Sequence, residues 1–96
     1  MLFLVISTPV PARPSEVREQ RKSFWPWVED KLDRGIARSV FPRTGRGAVV
    51  VFDVDSHENL HRLLNEWAEA IPAEFGIYPL MEPESIKAFL NEDSGD

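Results

Sequence analysis

His57 and His61 stand four residues apart, a spacing that places both imidazoles on one side of a helix. Imidazole titrates near neutral pH, so a half-buried histidine can shuttle a proton. His61, at the margin of an apolar stripe formed by Leu60, Leu64 and Trp67, is the expected acid–base residue. The alternative is a helix-edge histidine bonded to water or to a backbone carbonyl. A His-x-x-x-His pair also suits zinc, but no motif supplies a third ligand, so no metal is expected. Arg38 and Arg21 carry the planar fork that grips a carboxylate bidentately, and they are the candidate receivers of an anionic substrate. Arg21 lies on an apolar stripe, where its stem can equally cover the core while its head pairs with an acid. Arg43 and Arg46 read as solvated turn residues. Phe24-Trp25-Pro26-Trp27 is the most unusual cluster, either a pocket wall or a subunit interface. Phe24, Trp27 and Tyr78 are candidate substrate contacts. Asp53, at a strand end, reads as a cap or turn acceptor, and Glu29 and Asp30 as solvent-facing.

These residues must be placed by a small set of elements. Leu2 to Thr8 is nearly uninterrupted in its apolar character and predicts a strand covered on both faces, stopped by Pro9 and Pro11. Pro14-Ser15-Glu16 opens a helix. Val17, Arg21, Phe24, Val28 and Leu32 then mark one helical face, with a kink or restart expected at Pro26 and an end at Gly35. Ile36 to Phe41 predicts a second strand and Ala48 to Val54 a third, joined as a hairpin through Arg43-Thr44-Gly45-Arg46-Gly47. Asp55 or Ser56 caps a second helix bearing Leu60, Leu63, Leu64, Trp67 and Ile71, which Pro72 ends. Phe75 to Met81 predicts a fourth strand on an edge, since Pro79 cannot donate to a ladder. Pro83-Glu84-Ser85 starts a last helix reaching Leu90, and residues 91–96 read as a flexible polar tail after a single domain over 1–90.

Strand, helix, hairpin, helix, strand is the split βαβ order of a ferredoxin-like α+β sandwich, a four-stranded antiparallel sheet with helices on one face. The first and third strands are apolar at nearly every position, so the face without helices is apolar too. Leaving it in water would expose a larger patch than monomers tolerate. A second copy is therefore the expected partner, the two sheets meeting face to face as a dimeric α+β barrel.

Composition removes other classes. The chain has 96 residues, no cysteine and a net charge of -5. Disulfides and thiolate chemistry are thereby absent, and no run approaches the ~20 apolar residues of a membrane helix. A cytoplasmic protein without membrane partners is the expectation. Residues 1–50 carry nine Lys/Arg against five Asp/Glu, and residues 51–96 carry two against eleven. An interleaved fold brings these opposed halves together. Arg46-Gly47-Ala48-Val49-Val50-Val51-Phe52 echoes a strand of RNA-recognition motifs, but its base-stacking positions are aliphatic and the protein is acidic, which argues against nucleic acid.

The segment Val51-Phe52-Asp53-Val54-Asp55-Ser56-His57-Glu58-Asn59-Leu60-His61 resembles the Val-Phe-Asp-Val…Leu-His pattern of the muconolactone isomerase family. Met1-Leu2-Phe3, Gly35 with Arg38 behind it, and the Pro72 region fit the same pattern. The resemblance implies a ferredoxin-like fold assembled from dimers and a cofactor-free isomerase of aromatic-compound catabolism, moving a proton on a small oxygenated, anionic, unsaturated substrate. In that reading His61 does the acid–base work and Arg38 steadies the developing oxyanion. The chain departs from the pattern at Phe24-Trp25-Pro26-Trp27 and Thr44-Gly45-Arg46-Gly47, which leaves the lactone itself open. Two other uses of the barrel stand beside it: a cofactor-independent monooxygenase or polyketide cyclase, and a non-enzymatic ligand-binding or assembly module.

Overall fold

A computed structural model describes residues 1–94. The elements run β1 (Leu2–Pro9), a short 3-10 turn (Pro14–Val17), α1 (Arg18–Asp33), β2 (Ala37–Pro42), β3 (Ala48–Asp53), α2 (His57–Ala70), β4 (Ala73–Leu80) and α3 (Pro83–Ser94). The four strands form one antiparallel sheet in the order β2-β3-β1-β4. This is the expected ferredoxin-like α+β arrangement, with β4 on an edge where Pro79 is tolerated.

Strand alternation decides what each face carries. Phe3, Val5 and Ser7 of β1 and Ala48, Val50 and Phe52 of β3 are buried on the side covered by helices. Leu2, Leu4, Ile6, Val49 and Val51 point the other way and are only half-buried. Both faces are apolar, as the continuous runs in these strands require.

The helices attach to the sheet through large apolar side chains. α2 buries Leu60, Leu63, Leu64 and Trp67, its start capped by Ser56, whose side chain accepts from the Asn59 N–H at 3.1 Å. α1 buries Phe24, Val28 and Lys31. It closes with the Gly35 N–H on Leu32 O and the Ile36 N–H on Lys31 O, a Schellman motif made possible by Gly35 at φ +74°. α1 runs through Pro26 without the restart, one of the two expectations there. Phe24 and Val28, buried on either side of it, hold both halves against the sheet, so packing outweighs the lost hydrogen bond. The break falls earlier, between the 3-10 turn and Arg18. β4 begins at Ala73, two residues before the predicted start. α3 continues to Ser94, past the predicted end at Leu90 and into the segment read as a tail; residues 95 and 96 lie outside the described residues.

Trp67, 1% exposed, joins the layers. Its ring stacks on Phe24 of α1 at 5.1 Å and 17°, meets Phe75 of β4 edge-on at 5.1 Å, and meets Phe52 of β3 edge-on at 6.3 Å. Removing so large a buried ring leaves a cavity that neither the sheet nor the second helix can fill. Trp67→Ala is expected to destabilise the fold by about 3–5 kcal/mol, measured as a shift in the urea midpoint at unchanged slope.

Candidate functional site

The C-terminal end of β1, the β2–β3 hairpin and the first turns of α1 meet at one end of the sheet. Ser7 is 2% exposed; its hydroxyl accepts from the Ala48 N–H at 2.9 Å and lies 3.3 Å from Ala48 O, positioned to donate to it. The adjacent Gly47 sits at φ +100°, and a Cβ there would stand 2.5 Å from Ser7 O. Backbone conformation and close approach both demand glycine at this position. The hairpin is then tied to β1 by its arginines. Arg43 Nη1 donates to Ser7 O at 2.8 Å and to Thr8 Oγ1 at 3.3 Å, and Arg46 Nη1 donates to Val10 O at 2.8 Å. The residues expected to be solvated turn arginines are therefore structural ties.

Beneath this hairpin lies a narrow pocket of about 80 Å³, walled by Ser7, Phe24, Trp25 and Trp67 and rimmed by Arg21 and Arg43. Arg46 lies at the same mouth. Arg21 makes no hydrogen bond or ion pair among the described residues. No carboxylate, histidine or lysine lines this pocket. It is thus an apolar, aromatic slot with a positive mouth, suited to a flat or small anion and lacking any proton acceptor of its own.

The other sequence candidates lie elsewhere. His61 is exposed rather than half-buried. It falls roughly 110° around α2 from the middle of the Leu60/Leu63/Leu64/Trp67 stripe, in an open groove with Glu58, Arg62 and Glu69. His57 is also exposed and meets the Phe3 ring edge-on at 5.6 Å. Arg38 spends its fork on two carboxylates of its own chain, Asp53 at 2.8 Å and Glu82 at 2.7 Å. The structure does not bring His61 and Arg38 into one pocket. Trp27 faces α2, its indole N–H donating to Glu66 Oε1 at 2.9 Å while Lys31 Nζ sits 5.6 Å from its ring centre. Tyr78 is 54% exposed, on the sheet face without helices beside Leu4. Of the predicted contacts, Arg21 and Phe24 share the pocket; Trp25, rather than Trp27, joins them.

Ser7, Arg43, Gly47 and Trp67 escaped the sequence reading as site residues. The one signal present was the pair of glycines in a hairpin already rich in arginine. Among the described residues no group of three His, Asp or Glu is placed to hold a metal ion, and no helix is long and apolar enough to cross a membrane.

The family described as a domain of unknown function (DUF3303) matches residues 1–93, and the chain belongs to that family. Nothing among curated proteins matches the sequence. Among solved structures the chain is similar to 5-chloro-2-hydroxyhydroquinone dehydrochlorinase (TftG) from Burkholderia phenoliruptrix AC1100, in complex with 2,5-dihydroxybenzoquinone. The two superpose with a TM-score of 0.64 at 14% identity, over 88% of this chain and 98% of that one. A likeness at this identity shows the fold.

The Arg38 clamp makes a pH signature. Hydrogen bonding from Arg38 holds the Asp53 carboxyl below the usual aspartate range. A lowered native pKa means that folding favours the charged carboxylate. Its contribution is therefore complete above the ordinary value of about 3.9 and is lost as pH falls through the lowered one. Asp53→Asn is expected to reduce the melting temperature modestly at pH 7, as befits an exposed pair. The gap to the unsubstituted protein should close as the pH is taken down through the acid range. A gap that is constant with pH would show that the carboxylate's charge is not what Arg38 reads.

Proposed function

We propose that this member of the DUF3303 family handles a small oxygenated, anionic, unsaturated or aromatic compound without metal or organic cofactor, and that the arginine-rimmed pocket is where it binds. One observation carries this: Arg21, with no partner among the described residues, stands at the mouth of a slot walled by Phe24, Trp25 and Trp67. An aromatic floor takes a ring, and an unengaged guanidinium takes a carboxylate or phenolate. The fold likeness to a dehydrochlorinase held with 2,5-dihydroxybenzoquinone supports a ligand of that size and polarity. An interior of about 80 Å³ is below the ~300 Å³ usual for ligand sites. Entry of a ring therefore requires a wall residue to move, and among the aromatic walls Trp25 is the exposed one, at 38%.

The reaction in this reading is the proton transfer of muconolactone isomerase-like enzymes, carried out by two copies paired through their uncovered sheet faces. In place of the pairing of His61 with Arg38, Arg21 receives the anion and Phe24 packs the ring. Trp27 and Tyr78 act outside the pocket, in helix packing and on the sheet face. The absence of any histidine or carboxylate from the lining favours a second reading, a binding module that holds such a compound without turning it over. Solvent deuterium appearing at carbon in a bound unsaturated lactone would decide for the enzyme.

The pocket is tested by titrating benzoate and 2,5-dihydroxybenzoquinone against tryptophan fluorescence. A charge-assisted hydrogen bond is worth about 1.5–3 kcal/mol, so Arg21→Ala is expected to weaken binding by about 10- to 100-fold. His61→Ala and Arg38→Ala are expected to leave it unchanged. Equal affinity in Arg21→Ala, or loss in His61→Ala, would move the site to the outer groove of α2.

A further inference from the structure

We infer that α3 is an arm that docks on a second copy of this chain, and that the arm completes an interface the sheet faces alone are too small to make. The inference rests on the sheet pairing proposed above. Every residue from Pro83 to Glu92 is exposed. The molecule measures 61 × 24 × 20 Å, with a radius of gyration of 16.1 Å. A compact chain of this length has about 12.5 Å, so α3 projects away from the body. An isolated helix of 12 residues is marginal in water, and its stability must come from packing one face. That face is present: Ile86, Phe89 and Leu90, at i, i+3, i+4 spacing, are 43%, 57% and 58% exposed.

The base of the arm is held while the side chains of Ile86, Phe89 and Leu90 are exposed. Glu82, immediately before α3, is gripped by Arg38 Nη1 at 2.7 Å, and the Ser85 N–H closes a turn on Glu82 O at 3.0 Å. Arg38 also holds Asp53 at the end of β3, so the chain leaving β4 is anchored to the far side of the sheet before it departs. A segment destined to wander needs no such anchor.

Area identifies the occupant. Four strands about 4.8 Å apart and about six residues long offer on the order of 400 Å² of sheet face. A stable pair needs about 800 Å² from each partner. One side of a 12-residue helix, about 18 Å by 10 Å, adds on the order of 180 Å². In a symmetric exchange each copy both gives an arm and receives one, which brings each side close to 800 Å². The exposed Leu80 and Met81 at the arm's root make the apolar surface continuous from sheet to helix.

Sedimentation of the full chain, with amide hydrogen exchange of residues 86–90 read at high and low concentration, tests the arm. Slow exchange at high concentration that is lost on dilution to monomer is the expected result. Phe89→Asp/Leu90→Asp is expected to raise the dimer dissociation constant at least tenfold. It should leave tryptophan fluorescence and benzoate binding of the monomer unchanged, because all three tryptophans lie on the helix-covered side. A dimer untouched by the substitution, with α3 exchanging freely, would overturn the arm and leave the sheet pairing standing. Protection that does not depend on concentration would mean that α3 folds onto its own chain. A full chain that stays monomeric at every concentration would overturn arm and pairing together.

Discussion

The stack of Phe24 on Trp67 sets the distance between α1 and α2, and through Phe52 and Phe75 it sets the height of both above the sheet. The pocket lies where that stack stops. Beyond the two rings, toward the hairpin, β1 contributes Ser7 and Pro9 and β3 only Ala48, all without a long side chain. A hydroxyl that both accepts from and donates to one neighbouring residue can be buried at little penalty. A larger apolar side chain at position 7 would fill the slot. Gly47 lets the hairpin close over the gap, and Arg43 fastens it there. The same few residues thus account for the tightness of the core and for the hollow beside it.

The second constraint is geometric. Two helices cover one face of a four-stranded sheet, and a strand that is apolar throughout puts half its side chains on the other face. β1 and β3 are central, so the uncovered patch lies in the middle of the sheet and cannot be hidden by a loop at the edge. The opposed charge of the two halves of the chain is expressed near this patch's margin, where Arg38 of the basic half binds Asp53 and Glu82 of the acidic half. The clamp gives little stability for two exposed pairs. It ties Glu82, the residue before α3, to β2 on the opposite edge of the sheet.

What could be read from sequence follows from how local each feature is. The apolar runs of β1 and β3, the stripe of α2 and the glycine that ends α1 are signals carried by a few neighbouring residues, and strand order follows from them by the handedness of the crossovers. His61 shows the limit. Its place beside Leu60 suggested a half-buried ring, yet one residue is 100° on a helix, and that step carries it over the margin into solvent. Arg38 was readable as a free fork because its two partners lie 15 and 44 residues further along the chain. The pocket was invisible for the same reason: Ser7, Arg21, Arg43 and Trp67 come from four separate elements and form no motif. Likewise α3 looked like a short helix with a frayed end, since nothing in its own residues says that the body leaves it uncovered.

A pocket lined with arginines and aromatic rings is equipped for half of a proton transfer. Removing a proton beside a carbonyl requires a donor for the oxygen that gains charge and an acceptor for the proton. In the proposed reading Arg21 serves the first need, Arg43 being engaged with β1. The second cannot come from the pocket lining, since guanidinium stays protonated. The acceptor in any turnover here is therefore a water, an ionised oxygen of the bound compound itself, or a group brought by a second copy. An ionised hydroxyl of a hydroxylated ring can meet the second need through an intervening water, which carries the proton from carbon to that oxygen. In the proposed reading the protein supplies the cation and the aromatic walls, and the proton acceptor comes from outside the pocket lining.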